Sequence, residues 1–120
     1  MAFDWTKPTV QMLGRWQPWH DGHTALFKRA FEKTGQVCIM VRDSKKDTNN
    51  PHSFAIRELL IKQALKREGY IINRDFIVQI VPNVVNITYG RDVGYTITEE
   101  QLDPEIEAIS ATKIRNESKS

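Results

Sequence analysis

Two imidazoles three positions apart, His20 and His23, are the side chains of this sequence best suited to chemistry. Gly22 stands between them, and Gly14-Arg15 lies just upstream. Residues at that spacing share one side of a first helical turn. Both rings can then face a phosphate over a helix N-terminus, where backbone N–H groups add positive potential. Gly22 lets a bulky ligand approach the backbone closely. Such a site needs no nucleophile, because phosphoryl transfer rests on positioning and on stabilising charge in the transition state. Imidazoles also bind zinc, but no clear third ligand is found. Histidines that merely sit on the surface or in the core are the plainer alternative. The remaining histidine, His52, lies in a polar loop and is read as exposed.

A second group closes the chain: Ile109-Ser110-Ala111-Thr112-Lys113-Ile114-Arg115. A hydroxyl-rich helix start followed by Lys and Arg can hold a polyphosphate. Ser110 and Thr112 can donate hydroxyl hydrogen bonds, and the helix N-terminus points its N–H groups at an anion. Arg115 can grip phosphate oxygens with two prongs. A capped terminal helix with solvated charges is the bland reading.

The elements that must position these groups follow from the apolar pattern. Thr9–Leu13 is a β-type run ending at Gly14. Asp21 can cap a helix whose apolar residues Ala25, Leu26, Ala30 and Phe31 fall near helical spacing, with Gly35 closing it. Gln36–Val41 is nearly continuous apolar, as in a parallel strand buried on both faces. Residues 42–51 read as a loop. From Ser53 a second helix carries Phe54, Ile56, Leu59, Leu60, Ala64 and Leu65 on one broad face and ends at Gly69. Asp75–Val81 is a third strand stopped by Pro82. Val84–Tyr89 and Tyr95–Thr98 are short strand candidates, and Ser110 can cap a short final helix. Met1–Pro8 reads as a loosely held lead-in. Strands alternating with helices imply parallel pairing through right-handed crossovers. The expectation is a single α/β domain over residues 1–120, a small Rossmann-like three-layer unit with a mostly parallel sheet.

Bulk properties narrow the function. The 120 residues suffice for one domain, with 40% hydrophobic and 27% charged residues, as in an ordinary globular protein. A net charge of +2 without a basic tract argues against nucleic acid as partner. The lone Cys38, in an apolar run, excludes an intrachain disulfide and reads as a small buried hydrophobe. No signal peptide and no long apolar span are seen, so the expected location is cytoplasmic, without a membrane partner. Asn86-Ile87-Thr88 and Asn116-Glu117-Ser118 spell glycosylation acceptors but are discounted for want of a secretory signal.

The two motifs together resemble the nucleotidyltransferases related to class I aminoacyl-tRNA synthetases. Gly14-Arg15-Trp16-Gln17-Pro18-Trp19-His20-Asp21-Gly22-His23 looks like their H-x-G-H motif, and Ile109–Arg115 like their I-S-x-T-K/E-I-R motif. The resemblance spans Thr9–Arg115, in the family's order. It implies transfer of a nucleoside monophosphate from CTP or ATP to a small phosphorylated acceptor, with release of pyrophosphate and with Mg2+ accompanying the nucleotide. It also implies that His20 and His23, with Lys113, are catalytic. Nucleotide contacts are implied for Gly14, Arg15, Trp16, Gln17, Gly22, Ser110, Thr112 and Arg115. Asn50-Pro51 followed by Arg57 resembles the family's N-P-F-x-x-x-x-R segment, with His52 in place of Phe. Arg57 and Lys46 join the nucleotide set on that basis. Tyr89 and Arg91, in Tyr89-Gly90-Arg91-Asp92-Val93-Gly94-Tyr95, and Trp19 are acceptor-site candidates, though a surface turn and simple packing of Trp16 and Trp19 against the core are open alternatives.

Within the family, the compact length favours the glycerol-3-phosphate cytidylyltransferases, which usually have G-T-F-D where this chain has Gly14-Arg15-Trp16-Gln17. The spelling G-R-x-Q-P-x-H instead resembles archaeal-type nicotinamide-mononucleotide adenylyltransferases, with Trp16 and Trp19 in place of Phe. A nucleotide-binding regulator without turnover is a further alternative. A homodimer is expected from size.

Overall fold

A computed structural model of the chain describes residues 2–43, 52–91 and 94–98. The order is β1 (Val10–Gly14), α1 (Asp21–Thr34), β2 (Val37–Arg42), α2 (Phe54–Arg67) and β3 (Phe76–Val81). The three strands form one parallel sheet in the order β1-β2-β3, with Val10 beside Val37 and Val37 beside Phe76. This is the Rossmann-like α/β arrangement that the alternation of strands and helices requires. The carboxyl ends of all three strands, at Gly14, Arg42 and Val81, share one edge of the sheet. Ligands of open parallel sheets bind along such an edge.

Phe27 and Ala30 of α1 and Ile61, Ala64 and Leu65 of α2 pack with Met12, Val37, Ile39, Val41 and Phe76 in a single core. Both helices therefore cover the same face. On the opposite face Phe3, Cys38 and Ile77 form a smaller cluster with Met40 against it, so Cys38 is buried as expected. The described residues thus make two layers. The expected final helix, and with it Ser110, lies outside them.

Other expectations need correction. The lead-in is not loose. Phe3 is buried and donates its N–H to the Asn73 carbonyl at 2.7 Å. Gln36, itself buried, donates to the Asp4 carbonyl at 2.7 Å and the Thr9 hydroxyl at 2.6 Å. Residues 84–90 and 94–98 form no strand. Pro82 cannot donate to a ladder, and Val85, Ile87, Tyr89, Tyr95 and Ile97 are exposed. The Tyr89 and Tyr95 rings nonetheless meet edge to face at 5.6 Å, which brings the two ends of that segment together.

The buried stripe of α2 is also rotated from the expected one. The helix starts where expected, with Ser53 as its cap, its Oγ accepting the Ile56 N–H at 3.3 Å. The inward residues, however, are Arg57, Ile61, Ala64 and Leu65, while Ile56 and Leu59 are exposed. Arg57 sets that rotation by docking its guanidinium on carbonyls at the sheet edge, and apolar counting cannot anticipate a buried cation.

Gly14 has a packing reason to be glycine. A Cβ there would lie 2.9 Å from Cε2 and Cζ2 of the buried Trp16 indole. Gly14→Ala is expected to destabilise the fold by about 1–3 kcal/mol, the usual range for overpacking, read as a lower urea midpoint.

Candidate active site

Between β1 and α1 the chain makes a loop whose side chains fold inward. Trp16 sits at φ 52, in the left-handed region that costs a bulky residue about 1–3 kcal/mol. Contacts made by its indole hold it there. Its Nε1–H donates to the Met40 carbonyl on β2 at 3.1 Å, and its ring lies 5.1 Å from that of Trp19. Trp19 Nε1–H donates to the Thr24 hydroxyl on α1 at 2.9 Å. Gln17, almost fully buried, clasps the backbone of His52: its amide donates to the carbonyl at 3.1 Å and accepts the N–H at 2.9 Å. Arg57 is also buried, and its Nη1 donates to the carbonyls of Arg15 at 3.0 Å and Arg42 at 2.8 Å. The loop is thus tied to α1, to β2 and to the entry of α2.

The histidine pair stands at the start of α1. His20 takes the capping position that Asp21 was expected to hold; Asp21 is the first helical residue. His20 Nδ1 accepts the Gly22 N–H at 3.0 Å, and His23 Nδ1 accepts the His20 N–H at 3.2 Å. The reciprocal pattern is a capping box built from imidazoles. The two rings stack, 3.7 Å between centroids and 22° between planes. An imidazole nitrogen that accepts an N–H carries no proton, so each neutral ring carries its proton on Nε2. The site therefore holds two adjacent Nε2–H donors on the positive end of a helix.

Burial favours the neutral rings. Desolvation pulls His20 below its ordinary pKa, opposed by Asp21. His23 is pulled down to about 3, by desolvation first and by His20 second. An unfolded imidazole would take a proton near pH 6.5, while folded His23 resists it to about pH 3. Between those values the unfolded chain binds more protons, so acid favours unfolding. The contribution is complete above pH 6.5 and is lost progressively towards pH 3, by at most ~1.4 kcal/mol per pH unit. Urea titrations from pH 7 to pH 4 should show that slope, and His23→Gln should flatten it.

With this geometry in place, known proteins supply the family. The cytidylyltransferase-like family model matches residues 12–106, which include the loop, both histidines and all of β2, α2 and β3. The chain belongs to the cytidylyltransferase-like family. A nicotinamide-nucleotide adenylyltransferase of Ignicoccus hospitalis is 31% identical over 75 residues, 61% of this chain and 44% of its own length. One of Saccharolobus solfataricus is 29% identical over 83 residues, 68% of this chain and 48% of its own. An uncharacterized protein of Archaeoglobus fulgidus is 30% identical over 100 residues, 82% of this chain and 54% of its own. The chain thus spans about half the length of the curated relatives it matches. The relatives with a named activity carry the adenylyltransferase name, not that of the glycerol-3-phosphate cytidylyltransferases which compactness favoured.

Within this cytidylyltransferase-like domain the expected site residues divide. His20, Gly22 and His23 come together at the helix start. Trp16 packs on the His23 ring, Gly14 makes room for the Trp16 indole, Gln17 clasps the His52 backbone and Arg15 offers its carbonyl to Arg57. Trp19, expected at the acceptor, is a core residue touching His23. Arg57, expected at the nucleotide, directs its guanidinium at backbone carbonyls. Tyr89 and Arg91 lie exposed in the segment after β3. Lys46, Ser110, Thr112, Lys113 and Arg115 fall outside the described residues. Sequence reasoning missed Thr24 and the His52 backbone; an indole or amide in need of a buried partner was the signal for both. Among the described residues no three His, Cys, Asp or Glu side chains cluster to hold a metal ion, and no helix is long and apolar enough to cross a membrane.

Proposed function

We propose that this chain transfers an adenylyl group from ATP to the phosphate of a nicotinamide mononucleotide-type acceptor and releases pyrophosphate. The observation that carries the reading is the stacked pair His20 and His23, with both Nδ1 atoms occupied and both Nε2–H groups left as donors on α1. An acceptor phosphate oxygen attacks the α-phosphorus, and the bond to the bridging oxygen breaks as pyrophosphate leaves. Negative charge grows on the α-phosphate oxygens. Two neutral donors beside a helix N-terminus stabilise that charge without proton transfer. The relatives' names and the G-R-x-Q-P-x-H spelling support adenylyl and a nicotinamide nucleotide over cytidylyl and glycerol 3-phosphate.

The rest of the reading follows the family. Magnesium would enter with the triphosphate, held by phosphate oxygens, and would neutralise their charge. Ser110, Thr112 and Arg115 are proposed to hold the β- and γ-phosphates, with Lys113 catalytic.

The test is pyrophosphate release from the purified chain with ATP or CTP, each paired with nicotinamide mononucleotide or glycerol 3-phosphate. Turnover with ATP and the mononucleotide supports the proposal. Turnover only with CTP and glycerol 3-phosphate overturns the substrate assignment. ATP binding with no turnover for any pair overturns the enzyme reading in favour of a nucleotide-binding regulator.

A further inference from the structure

The His23 ring is enclosed on three sides. Trp16 meets it edge to face at 4.8 Å and 80°, Trp19 lies tilted at 5.4 Å and 55°, and His20 stacks on it at 3.7 Å. The enclosing indoles are themselves fixed, each by its own N–H: Trp16 to the Met40 carbonyl and Trp19 to the Thr24 hydroxyl. A ring of similar size without an N–H would fill the space and lose the anchor. Thr24 follows His23 directly on α1 and is buried, so its hydroxyl is set by the same helical turn that carries the imidazole.

We propose that Trp16, Trp19 and Thr24 are positioning residues, which act through His23 by walling its imidazole from water and fixing it with Nε2–H as the donor. The catalytic consequence rests on the function proposed above; the state of the ring does not. A neutral imidazole with a fixed Nδ1 acceptor has one donor direction, whereas a hydrated ring can flip, exchange tautomers or take a second proton. The wall excludes that water. The depressed pKa of His23, whose first cause is burial, agrees with the enclosure. The charged and titratable groups around it are His20 in the stack and Asp21 beside His20 on α1. In the loop before α1, Arg15 has its carbonyl held by Arg57, on which the Asp43 charge acts.

The experiment is an NMR titration of the histidine rings in the full chain, without ligand, for wild type, Trp16→Phe and the double variant Trp19→Phe/Thr24→Val. The double variant removes both partners of one hydrogen bond, so it leaves no orphaned hydroxyl. Trp5→Phe, at an indole 70% exposed, is the control. In wild type and control, His23 should stay neutral with the proton on Nε2 from pH 8 to pH 5. In the cage variants its midpoint should rise by about one unit or more when the titration is carried on to the acid limit of folding, with kcat reduced and KM for ATP changed less than kcat. A wild-type His23 that titrates near the ordinary value, or that carries its proton on Nδ1, overturns the proposal even if no variant folds. Unchanged midpoints in folded variants overturn it as well. Correct ring behaviour without turnover in wild type would refute the proposed function alone.

Discussion

His23→Gln and His20→Asn are each expected to lower kcat by about 10²-fold or more while the protein stays folded. The size follows from comparable charge-stabilising donors, worth ~3 kcal/mol each. The choice of substitutes follows from the structure. His20 is the helix cap and His23 occupies the third helical position, where its Nδ1 takes the His20 N–H. Alanine at either site would remove a cap and a donor together, and a loss of activity would then be ambiguous. Asparagine is among the best capping residues, and glutamine at the third position closes a capping box. Each variant retains the helix start and removes an imidazole. Near-wild-type urea midpoints at pH 7 with a collapsed rate of pyrophosphate release would place the loss in the transition state. Retained turnover in both variants would show that the stacked rings only cap α1. KM for ATP should move less than kcat, since the donors act on charge that develops as the bond breaks.

The fold was legible where burial is two-sided or a breaker is present. β2 is an apolar run without interruption, and β1 ends at a glycine; each boundary came within a residue of the structure. Gly35 was expected to close α1, and it caps the helix at φ 77. The place of the histidine pair at the start of α1 was legible from the strand run before it, the glycines around it and the helical pattern after it. The use of its Nδ1 atoms was not, because His20 acts as a cap only through a side chain that rarely takes the role, with Asp21 beside it as the better-known candidate. The strand expected at Val84–Tyr89 shows the opposite failure: alternation was present, but no neighbouring strand pairs with it among the described residues. The dual use of Trp16 and Trp19, which fill the core and enclose His23, has no periodic trace, since the two indoles come from a loop.

Arg57 carries the other large prediction. Its position in an N-P-x-x-x-x-x-R segment suggested a phosphate contact, and its guanidinium instead spans the entry of α2 and the ends of β1 and β2. Nε donates to the Ser53 carbonyl at 3.3 Å, and Nη1 to Arg15 and Arg42. Burial lowers its pKa and Asp43 raises it; an arginine remains cationic at any working pH. Arg57→Met would fill much of the volume and strand the Arg15 and Arg42 carbonyls without their donor. Hydrogen bonds from a charged group are worth roughly 1.5–3 kcal/mol each, and an unpaired buried acceptor costs more than a lost bond. The expected loss is therefore ~3–5 kcal/mol, a fall in Tm of roughly 10–20 °C or more for a domain of this size. Arg57→Lys should recover only part, because one ammonium cannot hold the Ser53 carbonyl that Nε takes and at the same time those of Arg15 and Arg42 that Nη1 takes. A direct nucleotide contact would give the reverse outcome: ATP affinity falling tenfold or more with the urea midpoint unchanged. Measuring both quantities on one variant decides between a strut beneath the histidine loop and a hand on the phosphates. The three carbonyls already engaged favour the strut.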